Sequence, residues 1–209
     1  MMKSFILNLL FLVTPLVTFS QSAQSLLDEV ANKVQSYDNI SLDFKYSLIN
    51  TQQGISQETR GDLVLSGNKF LLNLMGAKQL FDGNKLHVII PEDEEINVSS
   101  LEEGNMSPSE LLTFFTKGFN VSMDIVQNVN GRQIQYVKLI PITATAEYKS
   151  ILLGIDKESK HIYRQIISQH DGTEINITVN QFKVNQPLSS TLFTFDASKY
   201  SDYFINYLD

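Results

Sequence analysis

Apolar and polar residues alternate without a break in Ser41-Leu42-Asp43-Phe44-Lys45-Tyr46-Ser47-Leu48. Successive side chains of a β-strand point to opposite faces of a sheet, so this period of two predicts a strand with one apolar face. In the preceding residues, 24–37, apolar side chains recur every three or four positions, which is the spacing of a helix that buries one face. The change of period near Ile40 therefore predicts a helix that packs on a β-sheet.

Strand-like runs continue along most of the chain and are separated by turn pairs such as Gly67-Asn68, Asn130-Gly131 and Asp171-Gly172. The further predicted strands are residues 56–65, 69–74, 77–82, 85–90, 95–98, 120–128, 133–140, 150–156, 162–170, 174–184 and 192–195. Open sheets with this many strands rarely stay flat, and exposed edges promote aggregation. We therefore expect mainly β structure, folded as an incomplete antiparallel β-barrel.

One interruption separates the two groups of strands. Ser107-Pro108-Ser109-Glu110 has a serine N-cap, a proline at the first helical position and a glutamate three residues after the cap. It predicts a second helix over residues 108–116, which Gly118 ends. Because hairpin-type connections flank both helices, we expect them to cover the barrel as a lid. Residues 199–209, rich in Tyr and Phe, are expected to form a short final helix or arm.

The first twenty residues have the composition of a secretory signal peptide. Lys3 precedes an apolar run over residues 5–17, and the small polar residues Ser20 and Gln21 follow it. The run is short for a membrane span and contains Pro15, which argues against the alternative, a retained anchor. We predict cleavage near Ser20 or Gln21, and export of residues 21–209 as a single domain.

The composition excludes several classes of protein. The chain has 209 residues, of which 43% are hydrophobic, with a net charge of −7 and Cys 0. Without cysteine there is no disulfide framework, thiol nucleophile, cysteine-held metal site or acylated N-terminal cysteine. The acidic balance and the absence of a Lys/Arg cluster argue against nucleic-acid binding. An exported protein without disulfides suits a bacterial periplasm.

No motif indicates catalysis. His87, His161 and His170 lie far apart and lack metal-ligand spacing, and no G-x-S-x-G sequence occurs. An enzyme would need Asp43, Asp62, Glu92 and His87 to converge, and they share no motif. We therefore predict a protein that is not an enzyme and needs no cofactor or metal.

The remaining feature is apolar surface on the inward faces of the strands and on the helices. Each such residue can pack in a core or contact a ligand. A barrel covered by helices can leave an apolar cavity between the sheet and the helices. The candidate cavity residues are Phe44, Tyr46, Leu63, Leu65, Phe70, Leu72 and Leu74. The candidate lid residues are Leu27, Val30, Val34, Leu111, Leu112 and Phe115.

The order of these motifs resembles the LolA family, the periplasmic carriers of outer-membrane lipoproteins. The resemblance begins with the helix over residues 26–37, the strand over residues 41–46 and Thr59-Arg60-Gly61-Asp62-Leu63-Val64-Leu65. It continues through the hairpin Phe81-Asp82-Gly83-Asn84-Lys85-Leu86, the lid helix at Ser107-Pro108 and the closing strand Leu192-Phe193-Thr194-Phe195. Each motif is weak alone, and their order and spacing carry the resemblance.

This resemblance implies an unclosed antiparallel barrel under an α-helical lid, with a cavity that holds acyl chains of lipoproteins. It implies cargo taken from an ABC-type release complex in the inner membrane and passed to an acceptor or directly to the outer membrane, and we expect a monomer. The alternative is a periplasmic sensor or a carrier of another lipid with the same fold. Such sensors usually carry a second domain after the barrel, which favours the carrier.

The sequence departs from the family pattern after the second strand, and Leu72 stands where many members have an aromatic residue. Many members have an Arg-Pro pair after the second strand, and that arginine ties the barrel to the lid. The corresponding stretch here is Leu65-Ser66-Gly67-Asn68, which contains neither residue. This departure is compatible with a more easily opened lid, a distant branch of the carrier or a relative that binds a different lipid.

Overall fold

The computed structural model describes residues 22–100 and 110–208, which form one helix followed by a long curved sheet. The helix is α1 (Ala23–Gln35). The strands are β1 (Asn39–Asn50), β2 (Ile55–Ser66), β3 (Lys69–Leu74), β4 (Ala77–Phe81), β5 (Lys85–Ile90), β6 (Glu95–Ser100), β7 (Phe119–Val129), β8 (Arg132–Pro141), β9 (Tyr148–Asp156), β10 (Ile162–Gln169), β11 (Glu174–Val184) and β12 (Phe204–Tyr207). The proposed signal peptide and the Ser107-Pro108 capping box lie outside the described residues.

The strands form a 12-stranded sheet in the order β12-β6-β5-β4-β3-β2-β1-β11-β10-β9-β8-β7. Neighbours are antiparallel except β12, which pairs with β6 in parallel. Strands β7 and β12 are at opposite edges and do not pair with each other. The predicted mainly β, unclosed barrel-like sheet is confirmed.

Helix α1 begins and packs as its sequence predicts. The Ser22 side chain accepts a hydrogen bond from the Ser25 amide at 3.0 Å, which satisfies one of the free donors at the helix N-terminus. The buried stripe that α1 presents to the sheet consists of Ala23, Leu26, Leu27, Val30, Ala31 and Val34. Lys33 lies in the last turn, where its positive charge interacts favourably with the negative end of the helix dipole.

The second predicted helix is wrong in type. In the described part of residues 108–116 the chain forms two 3-10 turns, Glu110–Leu112 and Phe114–Thr116. Thr113, between them, has φ −132°, which interrupts the helical backbone. A helix this short is marginal alone, so the packing of Leu112 and Phe115 into the core decides the local conformation. We use "the lid" below for α1 together with these two turns.

The predicted closing strand over residues 192–195 is also wrong, because this stretch forms turns and extended chain. The free edge of β6 is already paired with β12, so residues 192–195 have no edge there to join. Phe195 instead stacks on His87, with ring centroids 4.2 Å apart, on the outer face of the sheet. The tail expected to be a helix or arm forms a 3-10 turn, Ala197–Tyr200, followed by β12.

The sheet therefore has apolar clusters on both faces. The main cluster lies on the concave face under α1 and includes residues from β1, β2, β8, β9 and β11. A second cluster lies on the outer face, where Ile89, Ile96 and Val98 are covered by residues of the C-terminal segment. Within the described ranges, no helix is long and apolar enough to cross a membrane.

Candidate functional site: an apolar cavity under the lid

The concave face of the sheet encloses a cavity of about 210 Å³. Its lining residues are Leu42, Phe44, Tyr46, Leu63, Leu72, Leu74, Leu112, Phe114, Ile162, Gln165, Ile177, Val179 and Phe182. None of these side chains carries a charge, and the polar groups among them are the Gln165 amide and the Tyr46 hydroxyl.

The alternation of β1 places its inward side chains in successive rows across the sheet. Leu42 pairs with Leu63 of β2 on one side and with Phe182 of β11 on the other. Two residues further along β1, Phe44 pairs with Gly61 and Val179. Because neighbouring strands are roughly 4.8 Å apart, each row forms one band of the cavity wall.

Gly61 makes room for the Phe44 ring. A Cβ atom at position 61 would lie 2.5 Å from Cζ of Phe44 and 2.9 Å from the carbonyl oxygen of Asn73. Both distances are shorter than van der Waals contact, so a larger residue would displace the ring or the strand. The glycine thus fixes the position of one wall of the cavity.

The 3-10 turns form the roof of the cavity through Leu112 and Phe114. Phe114 packs edge-to-face on Phe115 and Phe119, with ring centroids 5.5 and 6.1 Å apart. Phe119 in turn stacks on Tyr148 of β9 at 6.3 Å. These aromatic contacts connect the roof to β7 and β9, near the open edge of the sheet.

The end of α1 is attached to the barrel beside the cavity. Tyr37 Oη and His161 Nε2 are 2.8 Å apart, and the His161 ring stacks on Phe182 at a centroid distance of 4.0 Å. Phe182 lines the cavity, so this contact connects the lid to the wall. A second contact joins Glu29 of α1 to Lys160, with Oε2 and Nζ 3.0 Å apart.

Burial shifts the pKa values of Tyr37 and His161. Burial lowers the pKa of His161 below its ordinary value, and the nearby positive charge of Lys33 lowers it further, while Asp156 acts in the opposite direction. Burial also raises the pKa of the Tyr37 phenol. Both shifts favour a neutral pair near pH 7.

The sequence-predicted cavity residues lie in three places in the structure. Phe44, Tyr46, Leu63, Leu72 and Leu74 line the cavity. Leu65 lies beside Val34 in a separate small cleft at the end of α1, and Phe70 stacks on Phe81 in the core. Leu65 and Phe70 face inward without bordering the cavity.

The predicted lid residues also differ in position. Leu27, Val30 and Val34 are buried where α1 meets the sheet, and they do not border the cavity. Leu112 borders it, whereas Phe115 is buried in the core with 1% of its surface exposed. The side chain of Leu111 lies outside the described part of the structure.

Several lining residues were not among the sequence candidates. Phe114 belongs to the interrupting segment, and Leu42 begins the apolar alternation of β1. The others, from β10 and β11, are Ile162, Gln165, Ile177, Val179 and Phe182. The period-two pattern of residues 174–184 indicates the inward face of β11, but it does not show that β11 lies next to β1.

The candidate catalytic groups do not converge on the cavity. Asp43 and Asp62 are cross-strand neighbours on the exposed outer face, and each accepts a hydrogen bond from an asparagine side chain. His87 is on the outer face of β5, and Glu92 lies in the turn after β5. Among the described residues, no group of three or more His, Cys, Asp or Glu side chains could hold a metal ion.

The model of the family described as outer membrane lipoprotein carrier protein LolA matches residues 35–196. The chain belongs to the LolA family. This family consists of carrier and binding proteins, and the match spans the cavity-forming strands. Residues 197–208, which form the last 3-10 turn and β12, lie beyond the matched region.

Two solved structures support the fold at low sequence identity. An uncharacterized conserved protein from Thermus thermophilus has a TM-score of 0.60 and 9% identity, covering 88% of this chain and 98% of that one. The Mycobacterium tuberculosis lipoprotein LppX has a TM-score of 0.50 and 16% identity, covering 80% of this chain and 97% of that one. A LolA superfamily protein from Nitrosomonas europaea is also similar, with a TM-score of 0.42 and 14% identity, covering 85% and 99%. Comparison with curated proteins gives no match.

Proposed function

We propose that this protein is a periplasmic carrier that shields the acyl chains of lipoproteins between the inner and outer membranes. The observation that carries the proposal is the cavity on the concave face, whose walls are apolar except for Gln165 and Tyr46. Its roof, Leu112 and Phe114, comes from a short segment rather than from the sheet. Membership of the LolA family supports the same function.

The energetics of an acyl chain explain why a carrier needs such a cavity. Burying one methylene is worth about 0.8 kcal/mol, so a chain of roughly fifteen methylenes in water costs on the order of 12 kcal/mol. An uncharged, apolar wall can recover much of this free energy without selecting a particular headgroup. This site can therefore shield an acyl chain from water without any catalytic group. We propose that the protein is not an enzyme.

The size of the cavity implies that the lid moves when cargo enters. The cavity has a volume of about 210 Å³, below the roughly 300–1,000 Å³ of typical ligand sites. The concave face is covered by Leu112 and Phe114 and is bordered by the end of α1. We propose that displacement of these lid elements enlarges the cavity, and that their return closes it over the chain.

The family and the N-terminal sequence support a cellular route across the periplasm. We propose that residues 1–20 direct export and are cleaved, which leaves residues 21–209 as one periplasmic domain. Cargo would come from an ABC-type lipoprotein release complex and pass to an outer-membrane acceptor or to the outer membrane itself. The protein would act as a monomer without a cofactor.

Displacement of a fluorescent fatty acid tests the proposal. Leu74→Glu places a carboxylate in the cavity wall, and we expect at least about tenfold weaker probe binding because the charge and the chain compete for one apolar space. Ile142→Glu is the matched control, since Ile142 is 64% exposed and does not line the cavity. Thermal unfolding of both variants monitors folding. Equal probe affinity in Leu74→Glu and the wild-type protein would contradict the proposed site.

A further inference from the structure

The two polar groups of the cavity lie at one end of it. Along β1 the inward residues that border the cavity are Leu42, Phe44 and Tyr46. In the row of Tyr46, the neighbour on β11 is Ile177, and the neighbour of Ile177 on β10 is Gln165. The next inward row, which contains Leu48, does not border the cavity. Tyr46 and Gln165 therefore occupy its last row, roughly 10 Å apart across two strand spacings.

The opposite end of the cavity is apolar. The row of Leu42 contains Leu63 and Leu72 on one side and Phe182 on the other. The middle row contains Phe44, Leu74 and Val179. One end of the cavity and its middle are thus apolar and suited to hydrocarbon. The other end carries hydrogen-bonding groups.

The Gln165 amide has no hydrogen-bond partner within residues 22–100 and 110–208. Its side chain lines the cavity, and it makes no hydrogen bond to any of the residues that the structure describes. Its neighbours in the row, Ile177 and Leu153, are apolar and offer no side-chain acceptor. The Gln165 side chain is half-buried, and its amide is accessible from the cavity. A ligand that covers the amide without pairing it costs about 1–3 kcal/mol, so a ligand that brings a hydrogen-bond acceptor is favoured.

We propose that Gln165 is a specificity-determining residue that selects acyl chains carrying an ester or amide carbonyl. The Nε2 group of Gln165 donates a hydrogen bond to the carbonyl oxygen, and the hydrocarbon tail lies along the Phe44 and Leu42 rows. A pure hydrocarbon leaves the amide unpaired and binds more weakly. This inference rests on the proposed acyl-binding function and adds the orientation of the chain and the chemical class of its polar end.

The test compares two ligands of matched length, methyl laurate and the corresponding alkane, as competitors of a fluorescent fatty acid. The wild-type protein should bind the ester about three- to tenfold more tightly, the ratio expected for one net hydrogen bond. Gln165→Leu and Gln165→Met should bind both ligands equally, with the affinity for the alkane retained or increased. Two variants are used so that a packing defect in one does not decide the result.

Gln79→Leu is the matched control. Gln79 is half-buried on the same concave face, next to Leu72, but it does not line the cavity, so the ester preference should persist. The proposed role of Gln165 is overturned if both Gln165 variants keep the ester preference. It is also overturned if the wild-type protein shows no ester preference. In either case the proposed acyl binding still stands. Failure of the wild-type protein to bind the probe or either competitor overturns the proposed function as well.

Discussion

Tyr37 Oη lies 2.8 Å from Nε2 of His161, and this contact joins the second residue after α1 to the residue that precedes β10. The sequence lacks the Arg-Pro pair that in many family members ties the barrel to the lid, and Ser66-Gly67 occupies that place. The Tyr37–His161 and Glu29–Lys160 contacts attach α1 to the residues just before β10. The position of the lid therefore depends on groups that the family pattern does not indicate.

The stability of the protein should fall as the pH drops below about 6.5. The pKa of His161 is lowered in the folded state, first by burial and then by Lys33, so the unfolded state binds a proton more readily. Its contribution to stability is complete above the unfolded pKa of about 6.5 and is lost as the pH falls through the lower folded pKa. Urea unfolding at several pH values measures this slope.

His161→Gln provides the control for the pH effect. Glutamine keeps a hydrogen-bonding group near Tyr37 but does not titrate, so the part of the slope just below pH 6.5 should disappear. His170→Gln is the matched variant, because His170 is exposed and its ring lies within hydrogen-bonding distance of the Ala146 carbonyl. If the slope persists in His161→Gln and disappears in His170→Gln, His170 causes the pH dependence and the prediction for His161 is wrong.

Tyr37→Phe should accelerate release of a bound acyl probe. The variant removes the hydrogen bond to His161 and keeps the aromatic packing, so the attachment of α1 weakens by about 0.5–1.5 kcal/mol. Stopped-flow displacement should show a release rate up to about tenfold faster than that of the wild-type protein. Tyr207→Phe, at a tyrosine that is 72% exposed, should leave the rate unchanged. An unchanged rate in Tyr37→Phe would mean that this contact does not control the lid.

Gly61→Ala should destabilise the protein and weaken probe binding together. The added Cβ meets the Phe44 ring at 2.5 Å and the Asn73 carbonyl oxygen at 2.9 Å, and overpacking of this kind costs about 1–3 kcal/mol. Since the Phe44 ring is part of the cavity wall, its displacement changes the cavity. Urea unfolding and probe titration measure the two effects. Full stability in Gly61→Ala would show that the strand adjusts freely at this position.

The C-terminal segment should stabilise the fold without affecting binding. Ile205 packs on the outer cluster of Ile89, Ile96 and Val98, so Ile205→Ser should lower the free energy of unfolding by about 1–3 kcal/mol. Tyr207→Ser, two residues further along the same strand at a side chain that is 72% exposed, should have little effect. Both variants should bind the acyl probe with wild-type affinity, because the cavity lies on the opposite face. Loss of binding in Ile205→Ser without loss of stability would contradict this separation.

The alternation of β1 and of the later strand-like runs, together with the turn pairs between them, predicted most of the sheet. Leu42 and Phe44 face inward, and the turn pairs separate strands close to where the structure has them. The strand predicted over residues 192–195 was wrong because this segment packs across the outer face of the sheet instead of pairing at its edge. A period-two pattern reports that one face is buried, but it does not report what covers that face.

The candidate cavity was predictable only in part, for a related reason. Leu63 and Leu65 share the inward face of β2, yet only Leu63 borders the cavity. Alternation gives the face of the sheet but not the level along the barrel at which packing leaves space. Gln165 was missed because a polar residue at an inward position has no distinctive sequence pattern.

Photo-crosslinking in intact cells of the native host tests the central claim most directly. A photoreactive amino acid in place of Leu72 lies in the cavity wall, and one in place of Ile142 is the exposed control. We expect irradiation to attach acylated lipoproteins at position 72 and not at position 142, as identified by mass spectrometry. The absence of acylated adducts at position 72, or equal labelling at both positions, would contradict a lipoprotein carrier that holds acyl chains in this cavity.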